Sequence, residues 1–164
     1  MNNLIESTKK IYSEIAKSLI EKGYSISTME SCTSGLIATL LTNESGASAI
    51  IKGAFVTYSN EAKIMQGVDP NCIEKYSVYS IETAIEMAKA CRKNYDTYIG
   101  IGVTGIIDRP DPNNKTDNKN IYYAIVFGSD CITNTVSIPE NITDRFDRKL
   151  YVANNIGIHL SDLL

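Results

Sequence analysis

The sequence predicts an α/β fold: a three-layer α/β/α sandwich with a mixed, mostly parallel sheet. Three observations carry this. Runs of β-forming residues alternate with stretches of helical period. The last two β runs are joined by Gly128-Ser129-Asp130, a hairpin signal. And 164 residues suffice for one core but not for two. A single domain over residues 1–164 is therefore expected, with parallel strands from the β–α–β steps and one antiparallel strand from the hairpin.

The elements follow in order. Leu4 to Lys22 carries Ile11, Ile15 and Leu19 at steps of four, a helical spacing, and Gly23 stands where a helix C-cap glycine belongs. Tyr24 to Met29 alternates and reads as a strand. The polar run Glu30-Ser31-Cys32-Thr33-Ser34-Gly35 leads into a helix from Leu36 to Leu41. After the small-residue loop Asn43 to Ser48, which contains Gly46, Ala49 to Tyr58 reads as a second strand. Ser59 or Asn60 can cap a short helix running to Gln66, and Gly67 ends it. Pro70 to Tyr76 suits another helical turn. Ser80 caps a clearer helix with Ala84, Ala88 and Cys91 on one face, and TYIGIGV, from Thr97 to Val103, is a buried strand. Thr104 to Asn118 is the one long irregular stretch; a loop of that length in a compact domain is usually functional or disordered. Ile121 to Phe127 and Cys131 to Ile138 form the hairpin, and a last helix runs from about Asp144 to Leu163.

Composition narrows the function classes. Apolar residues make up 43% and charged residues 21%, as in globular proteins, and the net charge is −3. Without a Lys/Arg-rich run, neither nucleic acid nor an anionic membrane is an expected partner. Met1 to Glu6 lacks the basic-then-apolar layout of a signal peptide, and no apolar run reaches the length of a membrane span, so a cytoplasmic protein is expected. Cys32, Cys72, Cys91 and Cys131 are far apart and His159 is the lone histidine, a poor ligand set for a metal.

Chemistry is expected at Ser31, between a strand and a helix. Backbone N–H groups at a helix start have no intrahelical partner and can meet a developing oxyanion, while Gly35 allows close approach. The plainer alternative is that Ser31 only caps the helix. Cys32 is open to two readings as well, a thiolate activated by the helix terminus or a small buried filler. A nucleophilic serine needs a base, and a desolvated lysine can serve. Lys63, on the short helix after the second strand, is the candidate, because adjacent strand ends at one sheet edge would bring it to Ser31. Tyr58 at that strand end can relay a proton or hold a substrate; the alternative for Lys63 is an ordinary exposed lysine.

The runs Glu30-Ser31-Cys32-Thr33, Gly53 through Lys63 (GAFVTYSNEAK), Val103-Thr104-Gly105-Ile106 and Asp144-Arg145 closely resemble the CinA C-terminal domain family, whose members are nicotinamide-nucleotide amidohydrolases, found alone or fused to an upstream domain. The resemblance covers the chain from about Leu4 to Leu164. It implies a three-layer α/β/α domain, often dimeric and so a candidate homodimer, that hydrolyses the carboxamide of nicotinamide mononucleotide with no metal or organic cofactor. It implies Ser31 as nucleophile, Lys63 as base and Tyr58 close by. Thr104, Gly105 and Arg145 match positions lining the nucleotide pocket, and an arginine suits a phosphate through its planar fork of donors. Glu30, Cys32, Thr33, Gly46 and Asn60 complete the candidate substrate-binding set.

The chain also departs from the family pattern. Ser34-Gly35 stands where Gly-Gly is usual, Ile107-Asp108-Arg109 where small residues follow the TGI run, and Lys119-Asn120 where Gly-Thr opens the next strand. Two further readings therefore stand beside the amidohydrolase: a catalytically weakened member that binds a nucleotide or a protein partner, and an amidase acting on another small amide.

Overall fold

The computed structural model describes residues 2–114, 116 and 119–164. The chain order is α1 (Asn2–Lys22), β1 (Ile26–Glu30), α2 (Leu36–Thr42), β2 (Ile51–Val56), α3 (Asn60–Met65), α4 (Pro70–Tyr76), α5 (Ile81–Tyr95), β3 (Ile99–Gly105), β4 (Ile121–Phe127), β5 (Asp130–Val136) and α6 (Arg145–Asp162). The second strand is shorter than the sequence suggests. Gly46, with φ of 88°, admits a single 3-10 turn over Ala47–Ala49 before β2 begins.

The five strands form one sheet in the order β2-β1-β3-β4-β5. β1 pairs parallel with β2 and with β3, and β4 pairs antiparallel with β3 and β5. Four strands thus run one way and β4 alone is reversed, as expected for a hairpin following β–α–β units.

Each face of β3 has its own packing logic. Ile99, Ile101 and Val103 enter the main core with Tyr12, Leu19, Leu41, Tyr123, Val152 and Ile156, which places α1, α2 and α6 on that face. The intervening Gly100 and Gly102 face α5. A Cβ on Gly100 would lie 2.2 Å from the Ala88 carbonyl oxygen, and one on Gly102 2.2 Å from that of Ala84. The glycines of IGIGV therefore let a helix lie flat on the sheet, which Ala84 and Ala88 reinforce with Ala124 and Val126. Met29, Met87 and Cys91 extend this second layer. Among the described residues, no helix is long and apolar enough to cross a membrane.

The order puts β1 between its two parallel partners, so the chain leaves β1 toward one side to make β2 and later returns to the other side to make β3. Ligands in open α/β sheets gather at the carboxyl ends of strands at such a reversal. Register places Glu30 opposite both Val56 and Val103, so Ser31 and Thr57 leave the sheet side by side, next to Thr104 near the end of β3.

Candidate active site

Ser31 and Lys63 meet at this edge. The Ser31 backbone N–H still bonds the Val103 carbonyl (3.1 Å), fixing the residue just past the end of β1. Thr57 continues past β2 with its N–H on the Glu30 carbonyl (2.8 Å). Ser59 then caps α3, its Oγ accepting from the Ala62 N–H at 3.0 Å. The cap aims α3 so that Lys63 points inward. Lys63 is only 1% exposed, far from the ordinary surface lysine, and its Nζ donates to Ser31 Oγ (3.2 Å) and to the Thr57 carbonyl (2.8 Å).

Burial lowers the Lys63 pKa to about 8, against the opposing pull of acidic groups that include Asp111 and Glu61. A lysine in that range is part neutral near pH 8 and can accept a proton. The Thr57 carbonyl holds one N–H of the neutral amine, leaving its lone pair for the Ser31 hydroxyl. Ser31 is 6% exposed and lies on the wall of a cleft of about 810 Å³.

The helix start itself works differently from the sequence expectation. Gly35, not Ser31, is the N-cap of α2, and its φ is 88°. The helix N–H groups are taken by Glu30, which is fully buried. Oε2 accepts from Gly35 N (2.9 Å), Ile37 N (3.2 Å) and Thr33 Oγ1 (2.7 Å), while Oε1 accepts from Ala38 N (3.0 Å) and Thr28 Oγ1 (3.2 Å). A carboxylate suits a helix N-terminus, where the peptide dipoles leave partial positive charge. The expected substrate-binding role of Glu30 and Thr33 is corrected accordingly: both are buried in this cap and neither lines the cleft. The Gly35, Ile37 and Ala38 N–H groups are thus occupied and are not open to a group bound at Ser31.

The turn between β1 and α2 is tight. Ser34 has φ of 51° and Gly35 of 88°, two successive left-handed residues. The departure to serine at Ser34 is accommodated by Lys149 of α6, whose Nζ donates to Ser34 Oγ at 2.7 Å. Cys32 touches the cleft but is 4% exposed, and burial, with the Glu30 charge second, pushes its thiol up to about 12. A thiol held there is protonated at neutral pH and is no thiolate nucleophile.

Tyr58 lines the same cleft as Ser31, at its exposed side. It is 59% exposed, and its hydroxyl accepts from Arg145 NH2 at 3.0 Å. Among the described hydrogen bonds none joins Tyr58 to Ser31 or Lys63, so the proton-relay expectation finds no hydrogen-bonded path. Asn60, Gly105 and Arg145 line the cleft as expected. Two other expected positions are corrected. Thr104 is fully buried with its Oγ1 bonded to the Val78 carbonyl (2.9 Å), and Gly46 starts the 3-10 turn away from the cleft.

The irregular stretch after β3 supplies residues that sequence reasoning passed over. Ile106 and Ile107 are buried, tying its start to the core. Asp111 is a hub: its Oδ2 accepts from the Tyr79 hydroxyl (2.6 Å) and from Asn114 Nδ2 (2.7 Å). Burial would raise the Asp111 pKa, but the bonds from Asn114 and Tyr79 outweigh it and hold the carboxyl below its ordinary value. Asn114 Oδ1 in turn accepts from Asn60 Nδ2 (2.8 Å), linking the loop to α3. Tyr79, Asp108 and Asp111 all line the cleft. Residues Lys115, Asp117 and Asn118 of this stretch lie outside the described residues.

Fold and edge together define an α/β/α domain with a serine–lysine pair at the carboxyl ends of its parallel strands. The CinA C-terminal domain model matches residues 8–151, and the chain belongs to that family. A competence-damage inducible protein of Acetivibrio thermocellus is 46% identical over 107 residues, covering 65% of this chain and 25% of that protein. Its counterpart in Alkaliphilus oremlandii is 40% identical over 127 residues, covering 77% of this chain and 30% of the relative. The chain thus spans about a quarter to a third of the curated relatives it matches. Among solved structures, the competence/damage inducible protein of Agrobacterium tumefaciens superposes with a TM-score of 0.84 at 25% identity, over 96% of this chain and 95% of that one. A CinA superfamily protein of Escherichia coli gives 0.85 at 23% identity, over 96% and 90%, a likeness of fold.

Proposed function

We propose that this chain is a serine–lysine amidohydrolase that converts the carboxamide of nicotinamide mononucleotide to nicotinate mononucleotide and ammonia. The observation that carries the reading is the 3.2 Å contact between Ser31 Oγ and a buried Lys63 whose pKa is lowered to about 8. Ser31 Oγ attacks the carboxamide carbon while neutral Lys63 takes the hydroxyl proton. The tetrahedral oxyanion is met by N–H groups of the turn at Cys32. The C–N bond then breaks, Lys63 returns its proton to the leaving nitrogen as ammonia, and an acyl ester remains on Ser31. Water attacks that ester, giving its proton to Lys63, and the carboxylate product departs as the proton returns to Ser31 Oγ.

Arg145 at the mouth suits the phosphate of such a substrate. We place the chain in the cytoplasm, a reading supported by four free cysteines. An ammonia-release assay on nicotinamide mononucleotide tests the proposal. Ser31→Ala and Lys63→Ala are each expected to lower turnover by at least about a thousandfold with the fold intact. Full activity in Ser31→Ala would end this reading. The wild-type kcat/KM is expected to rise along a limb centred near pH 8, because only the neutral amine can act as the base.

A further inference from the structure

The anion end of the cleft already holds a negative charge. Asp108 lies on the cleft wall in the loop after β3. Its Oδ1 is bound by Arg148 NH1 at 2.8 Å, and its Oδ2 stands 4.0 Å from Arg145 NH1. Arg148 is itself anchored: NH1 also donates to the Ile107 carbonyl (3.1 Å) and Nε to the Ile142 carbonyl (2.7 Å), with only 20% of the side chain exposed. The carboxylate is therefore fixed on the loop and cannot readily swing aside. The charged residues on the cleft wall are Arg109 and Arg145 with Glu61, Asp108 and Asp111, so Asp108 is one of three carboxylates that an entering anion meets there.

We propose that Asp108 is a specificity-determining residue that weakens the hold of the cleft on a substrate's phosphate, bringing nucleotide and phosphate-free nucleoside carboxamides close together in affinity. This rests on the amidohydrolase reading of the same site. A phosphate monoester near Arg145 carries close to two charges at neutral pH. It must share Arg145 with the Asp108 carboxylate and endure that carboxylate's repulsion. A nucleoside lacking the phosphate meets neither cost. Because Asp108 is partly exposed, the effect is screened by salt and modest in size.

The test compares KM for nicotinamide mononucleotide and for nicotinamide riboside in the wild type and in Asp108→Asn at low salt. Asparagine keeps an acceptor for Arg148 and removes only the charge. The nucleotide KM is expected to fall roughly three- to fivefold, while the riboside KM moves by less than about twofold, within the scatter of an interaction it does not make. Raising the salt concentration on the wild type should lessen the difference that the variant shows. Equal shifts for the two substrates, or an unchanged nucleotide KM, would overturn the proposal. Calorimetry with the products, nicotinate mononucleotide and nicotinate riboside, reads the same preference without turnover. Tighter nucleotide product binding in Asp108→Asn with no ammonia release by either protein would sink the amidohydrolase reading and support the role of Asp108. Turnover with no change in that preference would do the reverse, and absence of binding in both proteins would sink both. Should Asp108→Asn fail to fold, Asp108→Ser serves in its place.

Discussion

Lys63→Met should make this protein more stable at neutral pH while removing the base. The native lysine is buried at the end of a short helix, and its pKa falls from 10.5 to about 8 through desolvation. That difference corresponds to about 3 kcal/mol of lost folding stability when the group is charged. Methionine fills a similar volume without a charge to desolvate. It also abandons the Thr57 carbonyl, which the lysine met at 2.8 Å, at a cost of about 1 kcal/mol. The expected net gain is about 2 kcal/mol at pH 7, or about 4–8 °C in Tm for a chain of this size. The folded pKa lies below the unfolded one, so the penalty is fully present below pH 8. It fades as pH rises from about 8 to 10.5, where the unfolded chain still binds a proton that the folded chain has lost. Urea unfolding of wild type and variant at pH 7, 8, 9 and 10 reads this directly. The buried tyrosines and cysteines, whose folded pKa values burial raises, also make stability depend on pH here, but they are common to both proteins and cancel in the difference. The stability gap should hold between pH 7 and 8 and shrink above pH 8. A variant less stable than wild type at pH 7, or a gap that does not change with pH, would refute a desolvated Lys63.

Two other perturbations separate structural from chemical roles. Glu30→Ala strips the acceptor from five donors, three of them backbone N–H groups at the start of α2, and should cost about 3–5 kcal/mol by urea unfolding; a loss below about 1 kcal/mol would contradict the cap. Iodoacetamide at pH 7.5 should label exposed Cys131 and spare Cys32, whose thiol is buried and held near 12, leaving ammonia release intact. Mass spectrometry showing early labelling of Cys32, with loss of activity, would reopen a cysteine mechanism.

The fold was legible because its signals are local. Period-two and helical patterns, the capping serines Ser59 and Ser80, and the hairpin at Gly128 each act within a few residues, and the elements they mark recur in the structure with their ends shifted by two residues at most. The meeting of Ser31 and Lys63 was legible for a different reason: once two β–α units share a sheet, their strand ends share an edge. Glu30 was misread because a carboxylate beside a serine looks the same in sequence whether it faces a ligand or folds back on the next helix. Only the turn at Ser34 and Gly35, with both residues left-handed, decides that it folds back. Tyr79 and Asp111 were missed because 32 residues separate them and no periodic pattern connects a tyrosine before a helix to an aspartate in an irregular loop.

The two buried charged side chains at the end of β1 and in the last turn of α3 solve opposite problems. Glu30 is saturated: three backbone N–H groups at the start of α2 and two threonine hydroxyls, from β1 and the turn, meet it, so its burial is compensated where it occurs and it has nothing left to offer a substrate. Lys63 is left under-compensated, with one carbonyl and one hydroxyl as partners and no carboxylate in hydrogen-bond contact among the described residues. A carboxylate there would hold the amine charged and useless as a base; its absence lets desolvation bring the pKa toward 8. The acidic groups that line the cleft, Glu61, Asp108 and Asp111, make no hydrogen bond to Lys63 among the described residues, although Asp111 and Glu61 still pull its pKa upward through space. Moving one of them inward, into direct contact with Lys63, would stabilise the fold and silence the chemistry together.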